Sequence, residues 1–235
     1  AIADFAESVR DGDEDRAVAL LSEGGEHVAW AQDRSHREFE RWWDAVVSQR
    51  VRMVELAGEG RGEEALAVLG ELAVLCARRS GPDGVSGWGR EIERALDERF
   101  TGLRWGGEWY PGRPVMITRN DYGLDLYNGD IGVCVDTDDG LRVLFPGGRE
   151  FAPSHLGEHT TVHAMTIHKS QGSQFDEVVV VLPGESSRLL TRELLYTAVT
   201  RARERVRVVG SEDVVRGAVS RSVQRASGLG FRLWG

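Results

Sequence analysis

The segment from Thr166 to Gln174 carries the densest set of side chains that could bind phosphate. Thr166, His168, Lys169, Ser170 and Gln171 offer hydroxyls, an imidazole, an ammonium and an amide within six positions. Hydroxyl and cationic groups suit the oxygens of a phosphodiester backbone, and such contacts position a strand without reading its bases. Lys169 is the only lysine among 29 basic residues, which favours a need for a compact point charge here. On chemistry alone, an ordinary strand-to-helix loop with a solvated lysine is the simpler interpretation.

A second constellation, Leu194 to Arg203, combines an apolar helical arc with two arginines. Leu194, Leu195, Ala198, Val199 and Ala202 share one face on a 3.6-residue period. Arg201 falls at one margin of that arc and Arg203 just beyond the other. An arginine at such a margin is held by its stem, and its guanidinium could reach a γ-phosphate bound elsewhere. A surface arginine that covers apolar atoms is the alternative.

The chain contains no GxxxxGK[ST] loop, which is the usual phosphate cradle of nucleotide-hydrolysing α/β folds. Since Lys169 is the only lysine, we expect no ATP hydrolysis by this polypeptide alone. The acidic residues form no spaced cluster that would predict a metal site or nuclease chemistry.

The N-terminal third is predicted to be mainly helical. Apolar spacing indicates a helix near residues 2–9, a second one capped by Asp13, a third over 35–57 and a fourth over 63–69. The run Leu72–Ala77 is apolar on both faces and is followed by turn residues, which is typical of a buried parallel strand.

The rest of the chain predicts an α/β domain with an insertion. Short β-like runs at 114–118, 131–136 and 141–145 are separated by turn signals, so residues 105–158 are predicted to form a small inserted β-barrel. Strands are expected again at 162–167, 178–182 and 206–209, with a helix from Thr191 to about Arg203. Trp105 and Trp109 border the barrel, where aromatic residues more often belong to a core than to a base-stacking surface. The predicted division is 1–104, 105–158 and 159–235.

Composition points to a globular protein of a reducing compartment. The net charge is −9, but residues 1–70 hold a balance of −8 and residues 188–225 one of +5. One end could therefore face phosphates, although a solvated arginine-rich face is the simpler alternative. The two cysteines are unpatterned and no apolar run approaches the length of a membrane span, so we expect a cytoplasmic protein. The chain lacks an initial Met, and we expect a segment of a longer polypeptide.

Taken in order, these segments resemble the motifs of RecD-like superfamily 1B DNA helicases, the family of the alpha subunit of exodeoxyribonuclease V. The matching segments are 75–85 for motif IV, 112–132 for the start of an SH3-like insertion, 166–172 for motif V and 196–203 for motif VI. They cover most of residues 70–210. Residues 1–70 match less distinctively, and the final 25 hardly match.

The resemblance implies a RecA-like second motor domain, interrupted by an SH3-like barrel, that closes over ATP and Mg²⁺ bound mainly by an absent first domain. Its site residues map onto this chain as follows: Arg201 as arginine finger, Arg79 as a second γ-phosphate contact, Gly172, Gln174 and Arg203 near the nucleotide, and Thr166, His168, Lys169, Ser170, Gln171, Asn120 and Asn128 on DNA. Gln174 departs from the family, which usually has Glu there. The amide keeps hydrogen bonding but loses the charge.

The resemblance also implies partners and a process. The implied partners are single- and double-stranded DNA, RecB- and RecC-like subunits, which would supply any nuclease activity, and an N-terminal P-loop domain of the same protein; no membrane is involved. Translocation in this family runs 5′ to 3′, in recombinational repair of double-strand breaks. Two alternatives stay open: a non-catalytic module that binds single-stranded DNA or docks subunits, and the helicase part of a conjugative relaxase.

Overall fold

The computed structural model describes residues 1–102, 107–184 and 189–223. Trp105, Arg188 and the residues after 223 lie outside this part. The α-helices are α1 (Ile2–Asp11), α2 (Glu14–Glu23), α3 (Arg37–Gly58), α4 (Gly62–Glu71), α5 (Val85–Arg99), α6 (Arg192–Val199) and α7 (Glu212–Ser220). The strands are β1 (Val28–Ala31), β2 (Leu72–Cys76), β3 (Pro114–Ile117), β4 (Ile131–Thr137), β5 (Gly140–Phe145), β6 (Arg149–Phe151), β7 (His159–Thr161), β8 (Met165–Thr166), β9 (Phe175–Val181) and β10 (Ala202–Val209).

A five-stranded parallel sheet forms the centre of the molecule. Its order is β1-β10-β9-β2-β8, and every neighbouring pair is parallel. Strand β2 pairs with β9 from Leu72 to Cys76, and all five of its residues are buried. The prediction of a buried parallel strand at this position is confirmed.

Helices cover both faces of this sheet because successive strand residues point to opposite sides. Ala73 and Leu75 of β2 pack with α1, α2, α6 and α7, whereas Val74 and Cys76 pack with α3 and α5. The predicted caps are confirmed: Asp13 accepts a hydrogen bond from the Arg16 amide, and Thr191 accepts one from Leu194. This mixed α/β architecture confirms the predicted class.

A second sheet of five antiparallel strands, in the order β6-β5-β4-β3-β7, lies between α5 and β8 in the chain. Val133 and Val135 of β4 pack against α3 and α4, while Cys134 between them enters the sheet's own small core. Gly112 leads into β3 with φ +82°, and a Cβ there would lie 2.6 Å from the Cα of Val54 in α3. Only glycine allows this close approach, which fastens the second sheet to α3.

Two predicted elements near the site were wrong in extent. The helix predicted to run to about Arg203 ends at Val199, because Ala202 already pairs with Phe175 as the first residue of β10. The strand predicted over 162–167 is regular only at Met165–Thr166, and a 3-10 turn begins at Ile167.

Other elements were not predicted. Strand β1 lies inside the segment expected to be helical, and neither α5 nor α7 was expected. Strand β7 extends the antiparallel sheet to Thr161, beyond the boundary predicted at 158. No helix in the described ranges is long and apolar enough to span a bilayer.

Candidate functional site

Two open clefts adjoin the carboxyl end of β2, where ligands collect in parallel α/β sheets. The first, here the inter-sheet cleft, measures about 790 Å³ and lies between α5 and the antiparallel sheet. Its polar lining includes Ser86, Arg90, Thr118 and Asn128. The second, here the α6 cleft, measures about 1210 Å³ and follows the exposed side of α6 from Thr191 to Thr197.

Three of the predicted residues, Arg79, Thr166 and Lys169, line both clefts. Arg79 and Lys169 are exposed, and neither forms an ion pair with any residue in the described ranges. The α6 cleft gathers four cationic side chains against one carboxylate, namely Arg78, Arg79, Lys169 and Arg221 against Glu193. In a chain of net charge −9, this wall is locally electropositive and suits phosphate.

The turn that carries Arg79 is held from outside by Arg34. Main-chain bonds from Val85 to the Arg78 carbonyl and from Ser86 to the Arg79 carbonyl close the turn. Arg34 donates to the Pro82 carbonyl at 2.7 Å and to both carboxylate oxygens of Glu91 at 2.8 and 2.9 Å. Its guanidinium also lies 5.0 Å from the ring centroid of Trp88. Arg34 therefore ties the turn to α5 through hydrogen bonds and a cation–π contact.

The loop that carries Lys169 is shaped by its own hydroxyls and one glycine. The Thr166 hydroxyl accepts a hydrogen bond from the Lys169 amide at 3.4 Å. Ser170 is fully buried and donates to the Ile167 carbonyl at 2.7 Å, so its hydroxyl does not face either cleft. Gly172 has φ +89°, a conformation that L side chains rarely adopt. His168, Lys169 and Gln171 are left exposed at the loop surface, and all three line the α6 cleft.

Arg201 lies at the opposite, amino edge of the sheet, immediately before β10. Its side chain donates to the carbonyls of Thr197 and Ser173, each at 3.1 Å, and to the hydroxyl of Thr200 at 3.3 Å. It is half-buried and forms no ion pair with the residues described. Arg201 does not line either cleft, although Thr197, one turn before it, lines the α6 cleft.

Of the other predicted nucleotide contacts, two lie beside Arg201 and one does not. Gly172 and Gln174 flank Ser173, whose carbonyl binds Arg201, so these three positions lie together. Arg203 instead lies in β10, is exposed and pairs with Asp176 at 3.3 Å. Its predicted place on the α6 helix was wrong, because the helix ends four residues earlier.

The two predicted asparagines lie in the connection between β3 and β4. Asn128 lines the inter-sheet cleft, whereas Asn120 does not. The side-chain oxygen of Asn120 accepts a hydrogen bond from the main-chain amide of Asn128 at 2.8 Å, so Asn120 supports the residue that faces the cleft.

Several lining residues were not predicted. Arg78, Ser86, Arg90, Thr118 and Thr197 line the clefts, and Ser86 and Arg90 are four residues apart on α5. Recognition of α5 would have placed them on one face. Arg34 gave no signal in the sequence, since its partners are 48 and 57 residues away.

Neither cysteine belongs to the site. Burial raises the pKa of the Cys76 thiol to about 12 and that of Cys134 to about 12, so both stay protonated and unreactive at neutral pH. Within the described ranges, no group of three or more His, Cys, Asp or Glu residues could hold a metal ion.

Comparison with known proteins first defines a class. Residues 161–209 match the UvrD-like helicase C-terminal domain. This range contains β8, the Lys169 loop, β9, α6 and β10.

The chain belongs to the RecD family. It is 52% identical over 97% of its length to the RecBCD enzyme subunit RecD of Mycolicibacterium smegmatis, covering 41% of that protein. It is 30% identical to the ATP-dependent RecD2 DNA helicase of Deinococcus radiodurans over 79% of this chain and 27% of that one. The chain thus spans about two-fifths of the length of the RecD subunits of Mycolicibacterium smegmatis and Mycobacterium tuberculosis. A Bacteroides Pif1 structure bound to ssDNA aligns with 68% of this chain and 48% of its own at 16% identity and a TM-score of 0.39, a likeness too weak to add to this assignment.

Proposed function

We propose that this chain is the C-terminal motor domain of an ATP-dependent 5′–3′ DNA helicase that acts in recombinational repair of double-strand breaks. The observation that carries the proposal is the convergence of Arg79, Thr166 and Lys169 on the wall between two clefts. Arg79 and Lys169 have no acidic partner among the described residues, so these two cations can bind phosphate without first breaking an ion pair.

In this proposal the parallel sheet is a RecA-like second motor domain, and the antiparallel sheet is its SH3-like insertion. The 52% identity to a RecD subunit supports the assignment and favours RecD over the helicase part of a relaxase. RecB- and RecC-like subunits would be the protein partners, and a P-loop domain of the same protein would bind most of the ATP and its Mg²⁺.

On the nucleotide side, Arg201 would be the arginine finger. Arg79, predicted as a second γ-phosphate contact, lies at the opposite edge of the sheet beside Lys169, so we assign it to phosphates on the DNA side. A guanidinium has five N–H groups. Arg201 donates three of them to Thr197, Ser173 and Thr200, which fixes its plane, and two remain for a phosphate. Gly172 and Gln174 beside Ser173 would border the nucleotide, and Arg203 would have to release Asp176 to join them. ATP hydrolysis supplies the free energy, and the arginines would stabilise charge developing on the transferred phosphoryl group.

On the DNA side, Thr166, His168, Lys169, Gln171 and Asn128 would contact the backbone of a single strand. Ser170 and Asn120 would act indirectly, since one is buried and the other holds Asn128. Opening and closing of the cleft between the two motor domains would move this surface along the strand.

The decisive experiment uses the longer protein that contains the P-loop domain. Arg201→Ala should reduce ATP turnover by about 10³- to 10⁵-fold and leave ATP affinity nearly unchanged, as expected of an arginine finger. Arg94→Ala is the matched control, because Arg94 is a 73%-exposed arginine whose ion pair is with Glu98 on the same helix. Normal turnover in the Arg201 variant would remove this residue from the mechanism.

A non-catalytic single-stranded-DNA or docking module is the second candidate, favoured by the contrast between the acidic residues 1–70 and the basic clefts. Titration of a labelled oligonucleotide at two salt concentrations separates the two. Tight and steeply salt-dependent binding by this chain alone would favour the stand-alone module, and weak binding would favour a half-site completed by the P-loop domain.

A further inference from the structure

Two tyrosines stand exposed on the β3–β4 connection, and one of them, Tyr127, directly precedes Asn128, which lines the inter-sheet cleft. Tyr122 is 79% exposed and Tyr127 is 45% exposed. Their rings meet edge to face with centroids 6.3 Å apart. Single exposed aromatic residues are common and need no explanation. A fixed pair is different, because neither ring belongs to a hydrophobic cluster of the described residues.

The connection that carries the pair is held in place by its own hydrogen bonds. The Asp121 carboxylate accepts from the amides of Gly123 and Leu124 at 3.0 and 3.2 Å. Asp121 and Leu126 exchange two main-chain hydrogen bonds, and the Tyr127 hydroxyl donates to Asp125 at 2.8 Å. The rings are therefore positioned before any ligand arrives, which reduces the entropy lost on binding.

A chain of contacts links the tyrosines to the basic cleft. The side-chain nitrogen of Asn120 donates to the Tyr122 hydroxyl at 3.3 Å. The side-chain oxygen of Asn120 accepts a hydrogen bond from the main-chain amide of Asn128. Asn128, which follows Tyr127 directly, lines the inter-sheet cleft together with Arg79 and Lys169. The exposed rings therefore neighbour a residue that lines the cleft, where a strand that leaves the cleft past Asn128 could reach them.

The inter-sheet cleft and the β3–β4 connection that carries the tyrosines differ in charge, and therefore in what they can bind. The cleft offers three cations to phosphates, Arg79, Arg90 and Lys169, against one carboxylate, Glu93. The tyrosine connection instead carries three carboxylates, Asp121, Asp125 and Asp130, against one arginine, Arg119. Its net negative charge disfavours phosphates, although Asp130 is ion-paired with Arg149 at 3.5 Å. An aromatic surface with this charge suits the uncharged faces of bases.

We propose that Tyr122 and Tyr127 form a base-stacking platform for single-stranded nucleic acid whose phosphates lie in the inter-sheet cleft. This rests on the proposed function, and it adds the class of contact that phosphate binding leaves open. Stacking of this kind accepts every base, because each base has a π face.

The test measures binding of the longer protein that contains the P-loop domain to two labelled oligomers of equal length, an oligothymidylate and an abasic strand with the same backbone. The double variant Tyr122→Ala, Tyr127→Ala should bind the oligothymidylate about tenfold or more weakly, and its affinity for the abasic strand should not change. Tyr122→Phe with Tyr127→Phe keeps both rings and should keep the preference for the oligothymidylate. Both tyrosines are exposed, and circular dichroism should show unaltered folding.

The outcomes separate the platform from the function on which it rests. If Lys169→Ala weakens binding but the double variant keeps the preference for bases, the platform is overturned and phosphate binding stands. If the unaltered longer protein shows no salt-dependent binding to either strand, both ideas fail. If base preference is unchanged and binding to a purified RecC-like subunit is lost, the pair belongs to a protein interface and the platform is again overturned.

Discussion

The two sheets build opposite walls of the inter-sheet cleft in different ways. The parallel sheet contributes Thr166, the last residue of β8, and Arg79, three residues after the end of the adjacent strand β2. The antiparallel sheet contributes Asn128 from a 13-residue connection between β3 and β4 that depends on local hydrogen bonds. Strand topology alone brings the first set together, whereas the second set requires a particular loop conformation.

The sheets are nevertheless joined by buried polar contacts. Arg50 of α3 is 1% exposed and donates to the carbonyl of His163, two residues before β8, at 3.0 Å. The His163 ring meets the hydroxyl of buried Tyr110 at 2.7 Å, on the segment that leads into the antiparallel sheet. Since α3 also packs on both sheets, we expect them to unfold as one cooperative unit.

The largest expected effect concerns the cysteines, one in each sheet. With pKa values raised by burial from 9.0 to about 12, Cys76 and Cys134 should hold about a thousandfold less thiolate at pH 8 than they do when unfolded. A thiol reagent should therefore label neither residue in the native protein and both in denaturant.

The raised pKa of the two thiols also predicts how the stability of the protein changes with pH. Because the folded pKa lies above 9.0, the unfolded thiols lose their protons first, so the free energy of unfolding should fall as pH rises from about 9 toward 12. Replacement of both cysteines with alanine should flatten this dependence. Rapid labelling of Cys134 alone in the native state would show that the antiparallel sheet opens independently.

Much of the parallel sheet could be predicted, because burial on both faces leaves continuous apolar runs such as Leu72–Cys76. Strand β1 was missed because it has only four residues and lies at the sheet edge, where Ala29 and Trp30 are half-buried. The end of α6 was misjudged because Ala202 fits the helical arc by spacing, yet the Phe175 amide bonds to the Arg201 carbonyl and starts a strand.

For the site, the Lys169 loop could be predicted from residue types and order. Its hydroxyls could not be sorted into buried Ser170 and cleft-lining Thr166, since that depends on the 3-10 turn. The support from Arg34 and the tyrosine pair also depend on tertiary contacts that spacing does not encode.

The next prediction uses one core substitution beside each sheet to test whether the two sheets unfold as one cooperative unit. Trp88→Ala removes a buried ring between α3 and α5, and Phe145→Ala removes one from the core of the antiparallel sheet. Each should lower the free energy of unfolding by about 3–5 kcal/mol. In urea, Cys76 and Cys134 should become reactive in a single transition for both variants.

Tyr122→Ala serves as the control, since a 79%-exposed ring should contribute within about 0.5 kcal/mol. Two separate labelling transitions in the Phe145 variant would mean that the sheets are independent folding units.

A smaller effect distinguishes the two walls of the cleft. Lys169→Ala should weaken binding of single-stranded DNA and lower the salt dependence of log K by about 0.7, the value for one lost phosphate contact. Asn128→Ala should weaken binding without changing that slope, because an amide displaces no counterion. Lys169→Arg should preserve the slope. An unchanged slope in Lys169→Ala would remove the lysine from the phosphate path.

The smallest effect is expected from Arg34, which supports the parallel-sheet wall without lining it. Loss of its bonds to Glu91 and Pro82 in Arg34→Ala should loosen the turn that carries Arg79 and weaken DNA binding by a few-fold. The slope against salt should stay unchanged, since Arg34 faces Glu91 and Asp83 rather than the cleft. Arg34→Lys keeps the charge but not the planar two-pronged contact, and should recover only part of the affinity. A fall in slope as large as that of Lys169→Ala would show instead that Arg34 itself contacts phosphate, and unaltered affinity would show that the turn needs no external support.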